Sequence, residues 1–172
     1  DLQLDTLNSQ SSTYDRYDAK VITDIAILKT ITGDANAIIY PSDFNDVSDI
    51  ATLLNIENSA RKRNEGCIWE NTQSPYIQSA DNIKDTGRFM IVEGRVKDVY
   101  TSYENIYLNF GEDWKTDFTV RIEKRNKYFK KIDAAQYNGK TIRVRGFVEE
   151  YNGPSLTIEH PVLIEEIPAY EP

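Results

Sequence analysis

Cysteine, histidine and long apolar runs are scarce in this chain, and each scarcity excludes a class of protein. Cys67 is the only cysteine among 172 residues, which excludes an intrachain disulfide and any metal or iron–sulfur site built from several cysteines. His160 is the only histidine, so a multi-histidine metal site is excluded and a Ser/His triad would depend on one ring. No apolar stretch approaches the roughly 18–20 residues that cross a bilayer. We therefore expect no cysteine-pair redox chemistry and no transmembrane segment.

The overall charge is acidic, but the acidity is uneven along the chain. Hydrophobic residues make up 40% and charged residues 28%, which is typical of a soluble folded protein. A net charge of −8 argues against nucleic-acid binding that draws its affinity from many phosphate contacts. Residues 1–86 carry 7 Lys or Arg against 14 Asp or Glu, whereas residues 87–172 carry 13 against 14. The second half is therefore nearly neutral, and its surface has to be considered separately.

The first half contains strand-like segments followed by a helix-like one. Residues 20–28 and 35–40 have the β-branched enrichment of strands, with a turn signal between them. A helix is expected after the cap candidates Asp46 and Ser48, with Gly66 as a plausible end. Together these patterns predict a small mixed region in which strands precede one helix.

The second half alternates apolar and polar residues almost continuously. Period-two runs begin at about residues 90, 106, 118, 142 and 156, and residues 126–135 form an amphipathic stretch that predicts a helix after the third run. Three strands, a helix and two strands are the element order of a five-stranded OB-fold barrel. Gly94 and Gly146, inside the first and fourth strands, suit the sharp coiling of a small barrel.

Composition and pattern together divide the chain into five segments. We expect a polar arm (1–14), a first folded region (15–70), a polar linker (71–86), a strand-rich domain (87–168) and a short tail (169–172). The predicted fold class is mainly β with some α, an α+β protein.

Several short motifs of the first half occur together in one known family. A strand ending in Tyr40-Pro41 precedes a helix with NSAR at residues 58–61, where the family has EAxAR. The segment closes with GCIW at 66–69, where the family has GxW, and DRY stands at 15–17. Together these motifs resemble the C-terminal part of the staphylococcal nuclease (thermonuclease) family. The resemblance implies a partial nuclease-like OB barrel with a helix.

The second half is similar to an OB-like domain that some bacterial thermonuclease-family proteins carry after the nuclease domain. The similarity rests on VEGRV at 92–96, YLNFG at 107–111, DFTV at 117–120, RVRG at 143–146 and GP at 153–154. Both resemblances together span roughly residues 15–167.

The departures from the family pattern bear on activity. The family's catalytic arginine falls on Ala19, and the family's early arginine and calcium-binding acidic residues would precede Asp15, where only fourteen residues stand. An alanine cannot supply a guanidinium to stabilise charge on a phosphate. The resemblance therefore implies a degenerate nuclease that is inactive unless another chain completes it.

Acidic clusters elsewhere have simpler explanations than a metal. The adjacent pairs 112/113, 149/150 and 165/166 lie on strands or turns, where neighbouring side chains face opposite sides. Asp43, Asp46 and Asp49 surround a helix start, where acidic side chains favour the helix dipole without any ion. We therefore assign no catalytic residue, no metal site and no cofactor.

One face of the strand-rich domain combines arginines with aromatics. If Ile142, Val144 and Val148 face the interior, the alternate residues of that strand and of its neighbours face outward. An OB-fold uses such a mixture to hold a phosphate backbone while bases stack. The candidate nucleic-acid or anion site consists of Arg95, Tyr107, Asn109, Arg121, Arg143, Arg145 and Phe147.

Two classes of function follow from the sequence, with a third left open. The first interpretation is a non-catalytic OB-fold binding or docking protein, derived from a thermonuclease-like ancestor and serving as a subunit or accessory factor of a larger assembly, with other protein subunits as partners. The alternative is a protein that binds single-stranded nucleic acid on its OB face. A calcium-dependent nuclease completed by another chain is the third possibility. The compartment stays unassigned, although a start at Asp1 suggests processing and is compatible with periplasm, secretion or an organelle.

Overall fold

A computed structural model describes residues 3–6, 19–22, 25–41, 44–64, 66–69 and 76–168. The chain divides into two compact units, Asp1–Thr72 and Gln73–Pro172. Helices lie in the first unit and most strands in the second, so the chain is mainly β with α, and the predicted α+β class is confirmed. Among the described residues, no helix has both the length and the hydropathy needed to cross a membrane.

The first unit combines a two-stranded antiparallel ladder with helices. Its elements are β1 (Gln3–Thr6), β2 (Ala19–Ile22), α1 (Ile25–Gly33), α2 (Val47–Arg63) and α3 (Gly66–Trp69). The helix α2 packs against both α1 and α3. Most of the described first unit is therefore organised around α2.

The sequence pattern of α2 explains where it starts and which side it buries. The carboxylate of Asp46 accepts a hydrogen bond from the backbone N–H of Asp49 at 3.0 Å, which caps the first turn. Ile50, Leu53 and Leu54 are buried at helical spacing. The predicted helix is thus confirmed, but it ends at the left-handed Asn64 rather than at Gly66.

Two strands predicted in the first half are wrong over most of their length. Residues 20–28 form a strand only as far as Ile22, and Ile25 begins α1. A short apolar run fits either element, and here packing against α2 favours the helix. Residues 35–40 form no strand, because Ala35 adopts a left-handed φ of 56° and the N–H of Ile39 donates to the Glu57 carboxylate at 2.6 Å.

The second unit is built on one sheet that holds all the strands described after residue 76. Its members are β3 (Ile77–Ser79), β4 (Arg88–Arg95), β5 (Asp98–Thr101), β6 (Asn105–Asn109), β7 (Thr119–Glu123), β8 (Thr141–Glu150), β9 (Pro154–Thr157) and β10 (Ile164–Glu166). The hydrogen-bonded order is β3-β4-β8-β9-β7-β6-β5, with β10 on β8, and this order is open at β3 and β5. The pairs β3–β4 and β7–β9 are parallel, and the others are antiparallel. Strand β3 and a 3-10 turn at Ala80–Asn82 fall within the stretch predicted as a linker.

Alternation along the strands places the apolar core as the sequence predicts. Met90 and Val92 on β4 and Ile142, Val144 and Val148 on β8 are all fully buried. A Cβ at Gly94 would come within 2.7 Å of Ala80 and 2.8 Å of Phe110, so only glycine fits this core position.

The helix predicted at residues 126–135 is not formed. The segment contains turns, followed by a 3-10 turn at Ala134–Tyr137 that the Asp133 side chain caps. Asn126 accepts from the N–H of Tyr128 at 2.9 Å and donates to the Glu159 carbonyl at 2.7 Å. Such side-chain bonds to the backbone compete with helix formation.

His160 lies between β9 and β10 and contacts both an aromatic ring and the backbone. The ring lies edge-on to Tyr128 at 4.4 Å between centroids, and Nδ1 accepts the N–H of Val162 at 3.1 Å. Burial lowers the pKa of His160 from its ordinary 6.5.

We expect this histidine to destabilise the fold in mild acid. Because the folded pKa is lowered, the unfolded chain binds the proton first as the pH falls below 6.5. The free energy of unfolding should then fall by at most about 1.4 kcal/mol per pH unit from this group. Urea unfolding at neutral pH and at about pH 5 measures this change in the free energy of unfolding. His160→Asn keeps a capping acceptor without the titration, so an unchanged pH dependence in that variant would contradict the assignment.

Candidate functional site

Two arginines of β8 lie in a buried cluster of ion pairs. Arg143 Nε is 2.7 Å from Glu93 Oε1, and Arg143 Nη1 is 3.6 Å from Glu165 Oε2. Arg145 Nη2 is 2.8 Å from Glu165 Oε1. The strand register explains this arrangement, since Glu93 on β4 and Glu165 on β10 both lie opposite Arg143.

The expectation that these arginines face solvent is wrong. Their side chains do alternate with Ile142 and Val144, as the sequence predicts. However, Arg143 is only 8% exposed and Arg145 only 1% exposed, and Ile91, opposite Arg145 in the register, is also buried. Both faces of β8 are covered here, so the guanidinium groups are used for internal pairing and are not presented to a polymer in solvent.

An open cleft elsewhere in the second unit gathers exposed aromatic side chains. Its volume is about 560 Å³, within the usual range of ligand sites. The aromatic members are Tyr100, Tyr107, Trp114 and Tyr151, and the polar members are Asp98, Ser102, Asn109, Thr119, Asn152 and Ser155. We call this site the aromatic cleft.

Strand pairing places the first two tyrosines of the cleft together. Tyr100 on β5 and Tyr107 on β6 are directly opposite in the antiparallel register. Their rings are stacked, with centroids 6.2 Å apart and an interplanar angle of 22°. The neighbouring floor is polar, since Thr119 on β7 donates its hydroxyl to Asn109 Oδ1 at 3.3 Å.

Two turns bring the other aromatics to the same place. Trp114 lies in the turn between β6 and β7, where the Asp117 carboxylate accepts the N–H of Asp113 at 2.8 Å. Tyr151 lies in the turn between β8 and β9, which contains Gly153 at φ +84°. A Cβ on Gly153 would come within 2.8 Å of the Thr116 carbonyl carbon, so this glycine lets the two turns approach.

Arg121 fixes one wall of the aromatic cleft. Its guanidinium donates to Thr157 Oγ1 at 2.9 Å and lies 5.2 Å from the centroid of the Tyr151 ring. A cation over an aromatic face is stabilising by about 0.5–1 kcal/mol at exposed sites. Arg121 therefore holds Tyr151 against β7 and β9.

The charge of the cleft is weakly acidic. Among the described residues that line it, Asp98 is the sole charged side chain, and none is Lys or Arg. Lys115 lies beside it, 5.6 Å from the Trp114 ring centroid. No group of three or more His, Cys, Asp or Glu in the described parts of the chain is placed to share a metal ion.

The structure does not bring the residues of the predicted site together in one site. Tyr107 and Asn109 line the aromatic cleft, and Arg121 supports it. Arg95 is exposed at the end of β4, where Nε donates to the Gly139 carbonyl at 3.1 Å, and the half-exposed Phe147 lies edge-on to Phe89. The structure brings neither of them to the cleft, and their role in binding stays a prediction.

Sequence reasoning missed three aromatic members of the cleft. Tyr100, Trp114 and Tyr151 are 58%, 56% and 54% exposed. Trp114 follows two acidic turn residues and Tyr151 precedes an Asn-Gly turn, so a large aromatic beside a turn was the available signal.

Comparison with protein-family models and with curated proteins finds no match to this chain.

The buried cluster predicts a stability defect in arginine variants. Arg145→Ala leaves Glu165 without its 2.8 Å partner, and breaking a buried pair typically costs about 3 kcal/mol. Urea unfolding should show a loss of this size, while Arg125→Ala, whose side chain is 86% exposed, should change the free energy by less than about 0.5 kcal/mol. Equal effects in the two variants would contradict a structural role for Arg145.

Proposed function

We propose that this protein is a non-catalytic binding and docking protein whose ligand site is the aromatic cleft. In this proposal the second unit is an OB-fold, the first unit derives from a thermonuclease-like ancestor, and the chain serves as an accessory subunit of a larger assembly. The observation that carries the proposal is the convergence of four aromatic side chains from two strands and two turns on one open cleft.

The connectivity of the sheet supports the OB-fold assignment. Two residues separate β4 from β5, and they bond in opposite directions: Val96 N–H donates to the Lys140 carbonyl at 2.9 Å, and Lys97 N–H donates to the Asn109 carbonyl at 2.8 Å. Strands β4 and β5 thus act as one bent strand that reaches both ends of the order β4-β8-β9-β7-β6-β5. An OB-fold is a partly open five-stranded barrel of this kind.

The position of the aromatic cleft supports a binding role. OB-folds bind oligonucleotides and oligosaccharides on their second and third strands and on the loops after the first and fourth strands. The corresponding elements here are β6, β7, the β5–β6 turn at Ser102 and the β8–β9 turn at Tyr151, and all of them contribute to the cleft.

A single residue carries the non-catalytic part of the proposal. By resemblance, Ala19 stands where thermonucleases have the catalytic arginine, and its methyl group cannot stabilise charge on a phosphate.

Single-stranded nucleic acid is the second candidate for the ligand. Exposed aromatics with an arginine against one of the rings are the elements of a base-stacking platform, where each stack contributes about 1–3 kcal/mol.

A nuclease assay tests the non-catalytic assignment. We expect the purified chain to release no acid-soluble nucleotides from DNA or RNA in millimolar calcium. Ala19→Arg provides the control, because activity that appears only in this variant would identify the missing guanidinium as the cause. Robust calcium-dependent turnover by the natural sequence would contradict the proposal.

Fluorescence anisotropy tests the aromatic cleft as a polymer-binding site. The probes are fluorescein-labelled oligo(dT), a neutral oligosaccharide and a proline-rich peptide, each at low and moderate salt. We expect at least one to bind saturably, with affinity lowered about tenfold by Trp114→Ala or Tyr151→Ala, since one stack is lost.

The matched control is Tyr40→Ala, which removes a tyrosine of the first unit that is similarly exposed, at 46%. It should leave the affinity unchanged. Saturable binding of none of the three probes, or binding that both cleft substitutions leave intact, would overturn the assignment.

A further inference from the structure

We infer that the aromatic cleft binds a proline-rich segment of a partner protein, held as a polyproline II helix with a basic side chain against Asp98. This inference rests on the proposed function and names the class of ligand for the same site. Three properties of the cleft support it: its aromatic surfaces, its hydrogen-bond donors and its charge.

The aromatic surfaces suit the rings of proline. Tyr100 and Tyr107 form a stacked pair, and Trp114 and Tyr151, each more than half exposed, line the same cleft. Grooves lined by aromatic side chains are the common docking sites for proline-rich segments. Tyrosine and tryptophan lose little conformational entropy on binding, and a polyproline II helix is already formed before it binds.

The hydrogen-bonding groups of the cleft complement a proline backbone, which offers only acceptors. A polyproline II helix has no internal hydrogen bonds, and proline lacks an N–H, so such a ligand presents carbonyl oxygens. Lining residues with donors include the phenols of Tyr100 and Tyr151, the Trp114 indole and the Asn152 amide.

The lining of the cleft favours a cation over a phosphate, because its one charged side chain among the described residues is a carboxylate, and the neighbouring Lys115 and Arg121 lie against the rings of Trp114 and Tyr151. Asp98 is exposed and is the one charged group among the described lining residues. Acidic residues precede both aromatic turns, Glu112 and Asp113 before Trp114 and Glu149 and Glu150 before Tyr151. Nucleic acid requires cations along its path, whereas Arg121 is already engaged by Thr157 and Tyr151.

A charge exchange in the 172-residue chain tests the inference. The probe is a short fluorescein-labelled proline-rich peptide with one arginine. A second, otherwise identical peptide carries glutamate at that position. We expect the arginine peptide to bind with a dissociation constant of about 10–100 μM, and the glutamate peptide or Asp98→Lys to weaken binding about tenfold. Combining Asp98→Lys with the glutamate peptide should restore most of the affinity.

The controls separate this inference from the proposed function. Glu159→Lys makes the same charge change at an exposed glutamate outside the cleft and should leave peptide binding unaltered. A third peptide, with glycine and serine in place of the prolines, should not bind. Circular dichroism confirms that each variant folds.

The outcomes are distinct. Binding of oligo(dT) or the neutral oligosaccharide at the cleft, with no peptide binding, would overturn the peptide inference while supporting a cleft-based binding protein. Peptide binding that ignores the charge of residue 98 would also overturn it. Failure of every probe would overturn both proposals.

Discussion

Strand β8 is paired along both edges, and the sheet of the second unit depends on this pairing. Strand β4 occupies one edge, while β10 and β9 share the other. Both faces of β8 are also covered, since Ile142 and Val144 on one face and Arg143 and Arg145 on the other are all buried. Charged groups in that position require carboxylates, which β4 and β10 supply from the two flanking strands. The side of the sheet formed by β5, β6, β7 and β9 is left to present the aromatic cleft.

Local sequence patterns were sufficient to predict much of the second unit and one helix of the first. Alternation was sufficient to place Met90 and Val92 in the core, whereas Ile91, on the opposite face of the same strand, is also buried and alternation gave no sign of that. The caps and spacing of α2 were equally local. In contrast, the run that contains Ile25 fits a strand or a helix, and packing against α2 decided between them. The turns around Asn126 depend on a hydrogen bond to Glu159, which is 33 residues away and therefore outside any local sequence pattern.

The candidate site was partly predictable for the same reasons. Strand parity was sufficient for Tyr107 and Asn109, whereas the exposure of Arg145 depends on what covers its face, and parity does not report coverage. Trp114 and Tyr151 line one cleft because Gly153 allows its turn to lie against Thr116 in the other turn. That contact joins distant parts of the chain, so neither residue has a periodic signal. The nuclease-like ancestry and the OB-fold remain proposals supported by motifs and connectivity.

The strand order also pairs residues that are far apart in the chain. Glu93 and Arg143 are 50 residues apart in the chain, yet they are paired neighbours in the sheet. Contacts between such distant residues form slowly, because a large loop must close before they contribute any stabilisation. During synthesis, β4 has no antiparallel partner until residues 141–150 have been made. The aromatic cleft needs Tyr151 and Ser155, so it cannot be complete before these residues have been made.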